Sequence, residues 1–441
     1  MIFKSENVIY FRIIFGNSQN IYFYQDNDDI FISNQLKNIL SKKKQRWSLN
    51  RQAVNEFLDK GYIPSKKTLV NNIYKLPSKK YIEMDLKKQK ARIKSDSNLK
   101  KIRKINVDKK NYNQTLMEIC KSCEKEFDDN VAMTISSGFD TNYLLYSLHN
   151  ISNKKIEAFC IGGKVGRNEI ADAKKICSQY NNVDFYSKLV DENSLCKYPE
   201  IIWALEGAIY ESGVFLQYEL AKMINEHNID NIILGECADQ VLHYELYYKK
   251  IALLKKVKYN IYRNIIMKFK GIVCKPYRDI YNMASYKVIK KNGIMMNYFG
   301  IDPLYPYLRK KFIENARNIV KKGDIQKLYH KEVINYYLPE SITRILKKIG
   351  GATELKTLFI GNIKLDDIKN ICKRSEYYRE KKFNDEFYEI DYFMKLLYIE
   401  IFRKIFMQGN IDKYVENRFL NYDLTYFFPE LKKKIDGEFY K

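Results

Sequence analysis

Two short stretches carry residue types whose spacing fits phosphate chemistry. In Val131-Ala-Met-Thr-Ile-Ser-Ser-Gly-Phe-Asp-Thr141, an apolar run breaks into Ser136, Ser137, Gly138, Phe139, Asp140 and Thr141 just before the helical pattern of residues 142–148. A strand-to-helix junction of this kind offers unpaired N–H groups and the positive end of a helix dipole, which favour a phosphate or pyrophosphate. The hydroxyls of Ser136, Ser137 and Thr141 add donors, and Gly138 lets the backbone approach closely. Asp140 is placed to hold magnesium against the phosphates. The second stretch, Gly235-Glu-Cys-Ala-Asp-Gln240, follows the apolar run Asn231-Ile-Ile-Leu234 and supplies another carboxylate, Asp239. Magnesium is commonly held by one or two carboxylates plus phosphate oxygens, so Asp140 and Asp239 together suit an ATP-magnesium cradle. Taken singly, each stretch also fits ordinary helix capping. The Gly-x-x-x-x-Gly-Lys spacing of a Walker loop is not present in the first stretch.

These stretches need elements that bring them together. From Tyr112 to about Val241 the pattern alternates: a helix to Phe127, the strand Val131 to Ile135, a strand Lys155 to Ile161, and a helix Glu169 to Tyr180. A strand Val183 to Ser187, a helix Phe215 to Glu226 and a strand Asn231 to Leu234 complete it. Such alternation predicts an α/β fold with a parallel sheet covered on both faces, whose ligands bind beyond the carboxyl ends of the strands. Residues 1–90 read instead as a small, mainly β domain with a helix from Asn50 to Lys60. Residues 91–111 read as a basic linker, and 112–441 as the nucleotide-binding domain with a helical C-terminal part.

Composition narrows the function classes. Lys and Arg number 77 against 53 acidic residues, a net charge of +24, but the excess is spread along a chain rich in Lys, Asn, Ile and Tyr. It therefore reads as a compositional bias, and nucleic acid is not an expected partner. The eight cysteines are scattered, with Cys120 and Cys123 the one close pair, which points to reduced thiols and not to zinc. No apolar run approaches the ~20 residues of a membrane span, and the expected setting is the cytoplasm.

The first stretch resembles the Ser-Gly-Gly-x-Asp-Ser pyrophosphate loop of the ATP pyrophosphatase (PP-loop) group, which includes the asparagine synthetases, with Ser137 and Thr141 as departures. The second resembles the Gly-Glu-Gly-Ser/Ala-Asp-Glu segment of those enzymes, with Cys237 for Gly and Gln240 for Glu. Glu169 with Ala173, and Leu304-Tyr-Pro-Tyr-Leu-Arg309, also match family stretches in order, although Arg309 stands where the family has Asp. Gly61-Tyr-Ile-Pro64 and Leu76-Pro77 resemble the closing part of the family's glutaminase domain, here read as truncated. Ile2 stands where the glutaminase cysteine would follow Met1.

What this resemblance implies is a ligase that uses ATP and magnesium to turn a carboxylate into an acyl-adenylate, then passes it to ammonia or an amine. Asp140 and Asp239 would hold magnesium, while residues 136–141 with Gly235 would hold the nucleotide. Glu236 would attend the reacting amine or its proton. Lys348, with Lys347 as the alternative, would supply the cation at the adenylate before the flexible Gly350 and Gly351. The carboxylate partner is expected to be a small molecule or peptide, as in lasso-peptide cyclases and β-lactam synthetases, with a separate glutaminase or a peptide-presenting protein as further partners. Tailoring of a peptide or natural product is the favoured reading. Asparagine synthesis from free ammonia and a non-catalytic binding or scaffold role are the alternatives.

Overall fold

The computed structural model describes the chain apart from residues 1, 6–7, 13–18, 27–28, 44, 78–79, 89, 96–106, 164–167, 191, 243–288, 322–326, 348–362, 384, 410, 417–421 and 433–441. The front part is β-rich. Strands β1 (Ile2–Ser5), β2 (Val8–Arg12), β3 (Tyr22–Gln25) and β4 (Ile30–Ser33) precede helices α1 (Leu36–Lys42) and α2 (Arg51–Lys60). After them come β5 (Tyr74–Lys75), β6 (Lys80–Asp85) and β7 (Lys90–Ser95). They form two antiparallel sheets, in the orders β1-β2-β6-β7 and β4-β3-β5. Helix α2 starts where the Asn50 side chain accepts from Ala53 N and stops at Gly61, whose φ of 73° suits a residue without Cβ. The stretch expected as a basic linker with some residual strand begins with one: β7 pairs with β6 along its whole length, Lys80 opposite Ser95 to Asp85 opposite Lys90. In β7 exposed Lys90, Arg92 and Lys94 alternate with half-buried Ala91 and Ile93, which leaves few apolar residues to mark the strand.

The second part builds the parallel sheet. Helix α3 (Lys109–Glu124) leads to β8 (Val131–Thr134), α4 (Phe139–Ile151), β9 (Ile156–Gly163), α5 (Ile170–Cys177) and β10 (Val183–Val190). Helices α6 (Tyr198–Leu205) and α7 (Val214–Glu226) precede β11 (Asn231–Ile233) and the one-turn α8 (Ala238–Val241). Then follow α9 (Ile289–Tyr298), β12 (Asp302–Leu304), α10 (Lys310–Lys321) and α11 (Leu328–Tyr337). The sheet order is β10-β9-β8-β11-β12, with every pairing parallel. All four residues of β8 are buried, as a strand covered on both faces requires. The α/β class with a β-rich front and a helical rear is thus the observed architecture. Strand β12 was not expected from the sequence; three residues containing Pro303 give too short a pattern, and pairing with β11 makes them a strand.

One apolar core runs through both parts. Helix Glu386–Phe402 is buried without a break from Tyr392 to Phe402, as expected for a helix apolar on nearly every side. Its Tyr398 packs on Phe57 of α2 at 4.8 Å between ring centres, and Tyr198 of α6 donates to Met394 O at 2.9 Å. A polar tie reinforces the junction. The carboxylate of Glu206, just past α6, accepts from Leu36 N at 2.9 Å and Lys37 N at 3.2 Å, which caps α1 from a distant part of the chain.

Candidate functional site

Chain order explains where the site forms. From β8 the chain moves outward through β9 to β10, then returns to place β11 on the other side of β8. The crevice at such a reversal, beyond the carboxyl ends of the strands, is where parallel sheets bind ligands. The loops after β8 and β11 meet there, and a cavity of about 490 Å³ is lined by Ser136, Gly138, Phe139, Asp140 and Thr141 from one, and by Gly235 to Gln240 from the other. The two sequence stretches share one site. Gly235 is what lets them close: a Cβ there would fall 2.4 Å from the Thr141 methyl.

The loop after β8 is held tightly from within. Ser136 N and Oγ contact Thr141 Oγ1 at 3.3 and 3.0 Å, and Gly138 N donates to Ser136 Oγ at 3.1 Å. Asn142 Nδ2 donates to the carbonyls of Ser136 and Gly138 at 2.8 and 2.7 Å. Ser137, expected among the phosphate donors, is turned away. It is fully buried, does not line the cavity, and gives both its N–H and its hydroxyl to Glu169 Oε2, at 2.9 and 3.3 Å. Its hydroxyl has a place of its own in the packing, so Ser is accommodated where the family has Gly. The N–H groups of the first turn of α4 have no acceptor within the helix and face the same crevice.

Asp140 and Asp239 converge on one cation, and that cation is a lysine. Lys327 Nζ lies 2.8 and 2.7 Å from the two oxygens of Asp140 and 2.5 Å from Asp239 Oδ1. Lys327 is 4 % exposed and enters from the residue preceding α11. One turn along, His330 Nε2 sits 3.0 Å from Asp140 Oδ1, with Tyr112 OH 2.7 Å from its Nδ1. Tyr307 OH donates to Asp140 O at 2.7 Å. Burial alone would raise the Asp140 pKa, but Lys327 and His330 hold it well below the usual carboxylate range. For Lys327 the balance runs the other way round: burial lowers its pKa, and the two carboxylates raise it above the ordinary value. Burial keeps His330 below its ordinary value. Two carboxylates directed at one point suit a magnesium ion in charge and donor type, and Lys327 marks that point. Among the described residues no group of three or more His, Cys, Asp or Glu forms a metal cluster.

Lys327 and His330 carry no motif and were not among the expected site residues. The one sequence signal is two polar residues three apart at the start of a helix, which gives no hint that both are buried. Glu236 lies at the cavity, with Oε2 buried and unpartnered among the described residues. Burial raises its pKa above the carboxylate norm. Cys237, where the family has Gly, adopts φ 75°, a left-handed backbone that glycine reaches without strain. Lys348, expected as the catalytic cation, lies outside the described residues, as do Gly350 and Gly351. The alternative, Lys347, pairs with Asp172 Oδ2 at 2.8 Å and is half exposed, but its backbone N–H donates to Ser137 O at 2.9 Å. Among the described residues none of the seven cysteines forms a disulfide, and no helix is long and apolar enough to cross a membrane.

Comparison with known proteins bears on the same segment. Residues 114–268 match the asparagine synthase family. The putative asparagine synthetase 2 (glutamine-hydrolyzing) of Methanocaldococcus jannaschii is 23% identical over 229 residues, covering 50% of this chain and 44% of that protein. The chain thus spans less than half the length of this curated relative. Among solved structures, the U34-tRNA thiolase NcsA of Methanococcus maripaludis with its 4Fe-4S cluster aligns with a TM-score of 0.25 and 17% identity, over 57% of this chain and 89% of that one. The NMN synthetase of Francisella tularensis aligns with a TM-score of 0.24 and 11% identity, over 51% and 98%. What the comparisons show is a likeness: residues 114–268 of this chain are similar to the asparagine synthase family.

Proposed function

We propose that this protein is an AMP-forming ligase that joins a carboxylate to ammonia or an amine, and that its substrate is a peptide or natural-product acid. The convergence of Asp140 and Asp239 on one cation position beside the α4 N-terminus supports this reading most directly. A carboxylate oxygen of the substrate attacks the α-phosphorus of ATP. The bond from that phosphorus to the bridging oxygen breaks, and pyrophosphate leaves with the electron pair. The first turn of α4, with Thr141 and Ser136, receives the pyrophosphate, and Lys327 supplies a fixed positive charge to it. When bound between Asp140 and Asp239, magnesium would neutralise charge on the departing phosphates. In the second step the amine nitrogen attacks the acyl carbon, the bond from that carbon to the AMP oxygen breaks, and Glu236 takes the proton released from nitrogen. Burial raises the pKa of this carboxyl, which makes it a stronger proton acceptor than an exposed carboxylate.

The test is pyrophosphate release from ATP with magnesium, a panel of carboxylic acids and peptides, and either ammonium or a primary amine. Acid-dependent release of pyrophosphate and AMP is expected, falling at least ~100-fold in Asp140→Ala. Formation of ADP and phosphate, or no acid-dependent turnover, overturns the reading. Asparagine made from aspartate and ammonium would replace the tailoring role by asparagine synthesis.

A further inference from the structure

Asp140 is gripped by two kinds of donor, and a nucleotide would treat them differently. Lys327 Nζ spans both of its oxygens and Asp239 Oδ1, so it stands in the cation position that magnesium would take. His330 Nε2 meets Oδ1 at 3.0 Å and can stay there when the lysine is displaced. The partners of the ring settle where its proton lies. A carboxylate accepts and does not donate, so Nε2 carries the hydrogen. In the neutral ring Nδ1 is then an acceptor, and Tyr112 OH, 2.7 Å away, donates to it. Two other hydroxyls close by are engaged elsewhere: Tyr143 OH donates to Asn113 Oδ1 at 2.8 Å, and Tyr307 OH to Asp140 O at 2.7 Å.

The imidazole is also held against rotation. It is fully buried, and Tyr112, Tyr143, Tyr307 and Phe312 stand steeply inclined to it, with 5.7 to 6.3 Å between ring centres and 67° to 82° between planes. These side chains come from α3, α4, the turn after β12 and α10, so four elements fix one ring. An apolar side chain would fill such a cage at no polar cost, whereas a buried imidazole needs both nitrogens paired. Here both are paired, and one partner is an acid of the cation site.

We infer that His330 is a positioning residue for Asp140: its Nε2–H, fixed by Tyr112, holds Oδ1 and keeps Oδ2 at the cation position when magnesium-ATP displaces Lys327. The inference rests on the proposed ligase reading for its nucleotide and metal, and adds the residue that prepares the acid for them.

Calorimetric titration of the full chain with ATP, once with excess magnesium and once with EDTA, isolates the metal's share as the ratio of the two dissociation constants. Losing an outer partner of a metal ligand typically costs about 10- to 100-fold in metal affinity. His330→Leu should therefore lower the ratio at least ~10-fold and leave binding in EDTA nearly unchanged. His330→Gln, which keeps an N–H of similar reach, should retain most of the ratio, and Tyr112→Phe should fall between. Equal weakening with and without magnesium, or a ratio kept in His330→Leu, makes His330 a packing residue and overturns the inference. Selective 15N labelling of the four histidines gives a reading on the parent chain itself. The ring whose signals shift in Tyr112→Phe should be the Nε2–H tautomer, and the Nδ1–H tautomer there overturns the inference. If ATP fails to bind the parent, the ligase reading falls and takes this inference with it. Magnesium-dependent ATP binding that is indifferent to His330 removes this inference alone.

Discussion

Lys327 Nζ lies within 2.8 Å of both carboxylate oxygens of Asp140, so a buried ammonium sits at the place where two acids would grip a metal. Removing one partner of a buried ion pair typically costs ~3–5 kcal/mol, because the other charge is stranded. Lys327→Met should therefore lose stability of that order in a urea titration. Magnesium at a hundred times its Kd should restore about 2.7 kcal/mol in this variant, and far less in the parent chain without nucleotide. If magnesium moves neither protein, the two carboxylates do not form a metal-competent pair.

The contact between the two loops gives a second prediction. The Cβ of Gly235→Ala would press on the Thr141 methyl, and overpacking of this kind costs ~1–3 kcal/mol. Thr141→Ser removes the methyl and keeps the hydroxyl that holds Ser136. Much of the loss should return in the double variant, a coupling that denaturant melts of all four proteins will read. Additive losses would mean that the loops meet in some other way.

Cys237 tests backbone strain apart from side-chain burial. Both Cys237→Ala and Cys237→Gly remove the thiol, but only glycine relieves the left-handed φ of 75°. The glycine variant should be more stable than the alanine variant by about 1 kcal/mol, as measured by the difference in unfolding midpoint. The reverse order would place this turn in another conformation.

A pH dependence follows from Lys290 of α9, which donates to Gln19 O at 2.7 Å and whose pKa burial lowers to about 7. Below about 7 the lysine is charged in the folded and unfolded states alike, and the full penalty for burying it applies. Between about 7 and 10.5 the unfolded chain binds more protons than the folded one, so stability rises with pH. Each pKa unit is worth about 1.4 kcal/mol, and Lys290→Met should flatten this rise. Urea titrations across that range decide it; a slope unchanged by the substitution assigns the rise to another group.

Much of this site is written in the sequence, and its gaps have physical causes. Val131 to Thr141 and Gly235 to Asp239 are local patterns in which apolar runs, small residues and acids follow one another, so strand, loop and helix could be read directly. Lys327 and His330 are distant from both, and their role depends on burial against Asp140, which no local pattern encodes. Ser137 misled in the opposite sense. A hydroxyl in a phosphate loop reads as a ligand donor, yet Glu169 of the following βα unit claims it. Strand β7 was obscured by its lysines and arginine, which suit a sheet face turned to water.

The carboxylate of Glu206 reaches across the chain to cap α1, and the same region packs the rings of Tyr398 and Phe57 together. A helix whose end is completed by another part of the chain cannot melt without leaving that carboxylate buried and unmatched. The β-rich front and the parallel-sheet part should therefore unfold in one cooperative transition, with a single calorimetric peak whose enthalpy scales with both. Trimming the front away would not yield a smaller stable fold; it would strip the apolar rear helix of its cover and leave that face open to aggregation.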